Sequence, residues 1–160
     1  MQRMFGTACS ISTLRSPGFG RIGFRMRSFE DVRAAMVAHY VLATSEPFLL
    51  SFDVNLPMRQ RAQGMFLAEL EAENAAPVLR ISTPIARVSR VNAERCLRFN
   101  WAQRCGFLAV GDLDGVEYLH LCENRPYRGL DEQELVRLTR EMAALADELE
   151  AAFSAGRDLA

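Results

Sequence analysis

Lysine is absent from this chain of 160 residues, and all 19 basic side chains are arginine. That absence excludes a lysine Schiff base, a phosphate-loop lysine and a Ser-Lys dyad. Histidine is nearly as scarce, with only His39 and His120. The four cysteines (Cys9, Cys96, Cys105 and Cys122) contain no Cys-x-x-Cys pair, and their spacing encodes no disulfide framework. No apolar run approaches the roughly 18 residues of a membrane span, and none near the start is long enough for a secretory signal. A cytoplasmic location is therefore expected, with the cysteines as free thiols. A net charge of -1 indicates neither a basic nucleic-acid binder nor a polyacidic tail protein.

What is present reads as one globular domain: 49% of the residues are apolar and 24% charged. The charge is segregated. Residues 1–29 carry five arginines and no acid, whereas residues 129–160 carry eight acids against Arg137, Arg140 and Arg157. Residues 1–27 are Ser-, Gly- and Arg-rich without apolar periodicity, and are expected to be a flexible basic leader, with Met26 as an alternative start. Within them, Gly18-Phe19-Gly20-Arg21-Ile22-Gly23 has the spacing of a dinucleotide fingerprint. Pro17 precedes it, no Val/Ile-rich strand leads into it and the next helix cap comes only at Ser28, so it reads as a loop. The domain proper is expected over 28–155, with a tail at 156–160.

Ser28 predicts an N-cap for a helix with apolar positions Phe29, Val32, Met36, Val37 and Tyr40. Pro47 then opens a strand in which Phe48, Leu50, Phe52 and Val54 alternate with Leu49, Ser51 and Asp53. Residues 55–64 read as a polar loop. Strands over 65–71 and 78–85 complete a three-strand antiparallel meander. Asn92 predicts a second helix to about Gln103, with Cys96, Leu97 and Phe99–Trp101 on or near its buried side. Strands over 107–110 and 116–122 flank Asp112-Leu113-Asp114-Gly115, a hairpin signal. Asp131 and Glu134 read as a capping box for a last helix, with Leu130 stapled to Leu135. Its stripe runs Leu135, Leu138, Met142, Leu145, Leu149 and Phe153. The order helix, three strands, helix, two strands, helix is α+β with an antiparallel sheet, not a doubly wound fold.

The chemistry-bearing candidates are few. His120 and Cys122 share one strand face, and a four-residue hairpin loop would set Cys105 opposite Cys122. That gives three ligands of a zinc site without a fourth, or a Cys-His nucleophilic pair. Buried structural thiols are the plainer reading, because Cys122 lies between Leu121 and Glu123 rather than in an electropositive niche. Glu117 and Glu123 read as solvated strand charges, and the arginines at 25–27 as part of the leader. The chain is accordingly expected to be non-enzymatic, with no cofactor, no metal, no nucleic acid and no membrane as partner.

Three segments resemble known proteins. Asn92-Ala93-Glu94-Arg95-Cys96-Leu97-Arg98-Phe99-Asn100 resembles the middle helix, and Phe107-Leu108-Ala109-Val110-Gly111-Asp112 the hairpin entry, of the YbjN family and the related class I type III secretion chaperones. Gly129 to Leu135 and Ala143 to Leu149 resemble their closing helix. The resemblance implies a secretion-chaperone-like fold over roughly 28–153, with no catalysis and no cofactor. It implies homodimers and protein partners. YbjN-type proteins are regulators, whereas the chaperones bind extended effector segments. The near-neutral charge departs from the acidic chaperones and favours the YbjN-like regulatory or binding module.

The residues point to protein binding in their own right. Apolar residues on both faces of the strand from Pro47, together with the helical stripe, exceed what one sheet face needs to cover. Phe48, Leu50, Phe52, Leu138, Met142 and Leu145 are the candidate partner-binding residues, and burial of such a patch against a second copy predicts a homodimer. Closure of the 55–64 loop over the strand would serve equally. Strand addition at a free sheet edge is a further way to take a partner.

Overall fold

The computed structural model describes residues 25–154. Helix α1 (Phe29–Val37) is followed by β1 (Leu42–Glu46), β2 (Leu49–Leu56), a 3-10 turn (Pro57–Arg59), β3 (Arg61–Ala72) and β4 (Ala75–Arg87). After a second 3-10 turn (Val88–Arg90) come α2 (Ala93–Ala102), β5 (Phe107–Leu113), β6 (Val116–Pro126) and α3 (Glu132–Ser154). All six strands form one antiparallel sheet in the order β1-β2-β3-β4-β6-β5. The α+β class with an antiparallel sheet is as the sequence predicts.

Helix starts follow side-chain chemistry. Ser28 caps α1 in a full capping box, its hydroxyl accepting from the Asp31 N–H while Asp31 accepts from the Ser28 N–H. Asn92 accepts from the Arg95 N–H at the start of α2, and Asp131 from the Glu134 N–H at 2.9 Å at the start of α3. At α3 the reciprocal bond is not made among the described residues, and the Glu134 carboxylate pairs with Arg137 at 2.7 Å. Leu130 and Leu135 are both buried, as a staple requires. Asp131→Ala is expected to cost about 0.5–2 kcal/mol. An unchanged urea midpoint would mean that the cap bond does not hold the helix.

Three expectations are corrected. The meander has four strands rather than three, since β1 precedes the strand read from Pro47, and Phe48 sits in the β1–β2 turn, exposed. Residues 55–64 are not a loop: β2 and β3 stay paired to Asn55↔Ala62 and Leu56↔Arg61 around the 3-10 turn. Residues 25 and 26, read as the end of the basic leader, join the folded domain. Met26 is buried and its N–H donates to the Leu130 carbonyl at 2.8 Å, while Arg25 bridges Asp131. The rest of the expected leader, its Gly-rich motif and Cys9, and the expected tail at 156–160 lie outside the described residues.

The core lies on one face of the sheet. Leu50, Phe52, Met65, Leu67, Leu79, Ile81 and Leu121 meet Phe29, Val32 and Met36 of α1 and Leu135, Leu138 and Met142 of α3. Leu135, Leu138, Met142 and Leu149 of the α3 stripe are thus covered by the chain's own sheet, Leu145 and Phe153 stay partly buried, and the helices in turn cover Leu50 and Phe52. Helix α2 closes the β5 edge: the Asn100 side chain donates to the Leu108 carbonyl at 3.1 Å and accepts from the Leu108 N–H at 2.7 Å. At the opposite edge β1 is short and bulged, and Arg33 donates to the carbonyls of Glu46 and Pro47. Both edges are therefore blunted against strand addition at these points.

Candidate protein-binding surfaces

The β5–β6 connection decides the fate of the Cys/His candidates. It is a two-residue turn, with Asp114 and Gly115 at φ 53° and 78°, instead of the four-residue loop expected. Phe107, not Cys105, then stands opposite Cys122. Cys105 falls just before β5, its thiol donating to the Glu123 carboxylate at 3.4 Å. Glu123 and Cys122 are neighbours on β6 and so project to opposite faces. The sheet separates Cys105 from His120 and Cys122, and the three do not form one site. Among the described residues no group of three His, Cys, Asp or Glu side chains is arranged to hold a metal ion.

The thiols are also electrostatically unsuited to attack. Burial raises the pKa of Cys96 and Cys122, and burial together with the adjacent Glu123 charge raises that of Cys105. Glu123 itself is mostly buried and pairs with Arg125 at 3.0 Å, so it is a structural charge and not a solvated one. His120 is buried across from Gly111, with Nε2 lacking a partner among the described residues. Burial, then the Arg80 charge, lowers its pKa. A depressed folded-state pKa means the unfolded chain binds the proton first. The His120 contribution is thus complete above the ordinary value of about 6.5 and lost as the pH falls through the folded value. The urea midpoint of the wild type is expected to drop between pH 7 and 5 more than that of His120→Gln, whereas equal slopes would contradict this.

The six expected partner-binding residues do not form one surface. Leu50 and Phe52 are core residues, and Phe48 is exposed apart from them. Leu138, Met142 and Leu145 do come together, along the floor of a groove of about 350 Å³ between the end of α2 and α3, beside Arg104 and Cys105. Leu138 and Met142 are themselves buried, and Leu145 is half-buried. Gly106 turns the chain at this point with φ 79°, and an added Cβ would meet the Leu121 side chain at 3.1 Å. Gly106→Ala is expected to cost about 1–2 kcal/mol for the left-handed backbone alone. A melting temperature equal to wild type would show that the corner relaxes freely.

A surface that the sequence reading placed inside the core lies outside it. On α2, Cys96 and Phe99 are buried, but Leu97 is 68% and Trp101 92% exposed. Four residues apart, they share one helix face. The Glu94–Arg98 ion pair at 2.7 Å joins them in lining a shallow groove. Val110 of the neighbouring β5 is exposed as well. The missed signal was the double apolar pattern of α2, in which 96/99 and 97/101 mark two different faces.

No protein-family model matches the chain, and no curated protein matches it. Among solved structures it is similar to a crystal structure of YbjN from E. coli, a candidate transcription regulator. The TM-score is 0.54 at 10% sequence identity, covering 84% of this chain and 97% of that one. The likeness establishes a YbjN-like fold. No helix among the described residues is long and apolar enough to cross a membrane.

Proposed function

We propose that this chain is a non-enzymatic protein-binding or regulatory module of the YbjN type that works as a homodimer in the cytoplasm. The observation that carries the reading is the outward Leu97/Trp101 face of α2. A tryptophan almost wholly in water, paired with a leucine on one helix face, is the composition of an interface anchor. The YbjN-like fold is consistent with it, and the separation of Cys105 from His120 and Cys122 removes the one constellation that favoured an enzyme. The groove over Leu138, Met142 and Leu145 supports a second reading, that of a class I type III secretion chaperone whose effector segment lays apolar side chains along it.

Metal analysis and residue-resolved thiol alkylation test the non-enzymatic part. The purified protein is expected to hold no stoichiometric zinc, and Cys96, Cys105 and Cys122 are expected to alkylate slowly at neutral pH. One fast, low-pKa thiol among them, or bound zinc, would overturn it. Sedimentation equilibrium tests the assembly. A monomer at every concentration to about 100 μM, a thousandfold above a tight dimer's dissociation constant near 0.1 μM, would contradict a dimer.

A further inference from the structure

The sheet has a second face, and no described helix covers it. Pairing and alternation assign to it Leu49, Ser51 and Asp53 of β2, Gly64, Phe66, Ala68 and Leu70 of β3, and Val78, Arg80 and Ser82 of β4. Phe107 of β5 and Cys122 of β6 continue it. Leu49, Phe66, Leu70, Val78 and Phe107 are only half-buried, so water meets a broad and mostly apolar sheet. With the sheet edges blunted by Arg33 and Asn100, this face is the larger opening left to a partner.

Its charges identify the partner. Towards the centre of the face stand one acid, Asp53, and one base, Arg80. Corner charges are left to Glu46 and Arg87, at the ends of β1 and β4. Asp53 makes no hydrogen bond or ion pair among the described residues. Arg80 donates through Nε to Asn124 at 3.0 Å, and no carboxylate among the described residues pairs with its guanidinium. An unpaired acid and an unpaired base on one apolar face make that face complementary to itself.

The register makes this geometric. On β3, Asp53 stands opposite Gly64 and Arg80 opposite Ala68, so Phe66 lies midway between the two rows. Strands are about 4.8 Å apart with a rise of about 3.3 Å per residue, which puts each charge about 8 Å from Phe66, on opposite sides. A two-fold axis in the plane of the face, through Phe66 and at right angles to the Asp53–Arg80 line, sets Phe66 on Phe66. It also sets each Asp53 on the other copy's Arg80. The strands of the two sheets then cross at about 70°, nearer the orthogonal class of sheet packing than the aligned one.

We infer that two copies of this chain meet through the helix-free face of the sheet, with Phe66 at the two-fold axis and Asp53 of each copy against Arg80 of the other. The inference rests on the homodimer reading above and adds the surface that makes it. It leaves Leu97 and Trp101 of α2 free for a different protein.

Charge reversal tests it by sedimentation. Asp53→Arg and Arg80→Asp are each expected to raise the dimer dissociation constant at least about tenfold. The double variant, which restores opposite signs, should return it close to wild type. Circular dichroism melts check that each variant is folded. As an independent readout, Phe66→Cys under mild oxidation is expected to give a covalent dimer whose disulfide joins the two introduced thiols, located by peptide mapping. Wild-type dissociation unchanged by the reversals, or no such crosslink in an intact dimer, overturns the face and leaves the dimer reading standing. Dissociation by Leu97→Ser/Trp101→Ser instead assigns the interface to α2. A wild-type monomer overturns both. Dimerisation that appears only once residues 2–24 are deleted would also overturn the inference, by making that segment the native occupant of the face.

Discussion

Phe52→Ala is expected to lower the unfolding free energy by about 3–5 kcal/mol. Phe52 is 1% exposed at the centre of β2, and its ring stacks on Tyr40 with centroids 4.6 Å apart. Its strand neighbours Leu50 and Met65 are fully buried, so little around the vacated volume can collapse into it. Tyr40 follows α1 and its hydroxyl is buried without a partner among the described residues, so losing the Phe52 ring also removes a stacking contact from Tyr40. Against a total of about 5–15 kcal/mol for a domain, the loss takes a large share of the stability. Urea denaturation reads it directly. A loss under about 1.5 kcal/mol would mean that the core repacks around the vacated volume, contrary to a rigid sheet.

The second large effect is asymmetric. Asp147 of α3 is 1% exposed, with Arg59 Nη1 at 2.7 Å and Arg61 Nη1 at 3.1 Å. Arg61 also pairs with Glu150 at 2.9 Å, while Gln63 donates to both Glu150 and Thr83. The arginines are about half exposed, whereas the carboxylate is not. Removing both arginines strands a buried charge, and Arg59→Ala/Arg61→Ala is expected to cost about 3–5 kcal/mol. Removing the acid returns two arginines to water, so Asp147→Ala is expected to cost about 1–2 kcal/mol. Equal losses, or a larger one for Asp147→Ala, would contradict the view that the buried carboxylate sets the cost.

This network also shows what the sequence did and did not reveal. Arg59, Arg61 and Gln63 made 55–64 look like a loop, because polar side chains on a strand usually mean solvent. Here they meet acids four turns or more along α3, a pairing that no local pattern encodes. The edge strand β1 escaped for a related reason: Leu42-Ala43-Thr44-Ser45-Glu46 has only two half-buried positions and carries no apolar alternation. Ser28, Asn92 and Asp131 were legible because a cap bond spans three residues and depends on nothing distant. The Asp114-Gly115 turn was legible as a hairpin, but its loop length was not: two residues of register put Phe107 opposite Cys122, and the turn at Gly106 carries Cys105 to the Glu123 side of the sheet. The surfaces were least legible. Helical spacing records that apolar residues lie together, yet only the packing of α2 against β5 decides that Phe99 turns in while Leu97 and Trp101 turn out.

The claim that this chain acts by holding another protein is tested most directly by quantitative affinity capture from the native host. Tagged wild type, Leu97→Ser and Trp101→Ser would be compared at equal loading, each variant first shown to be folded. The expected result is a specific partner retained by wild type, diminished by Leu97→Ser and lost with Trp101→Ser, whose exposed side chain contributes nothing to the core. The same partners at the same yield from all three proteins would contradict the account.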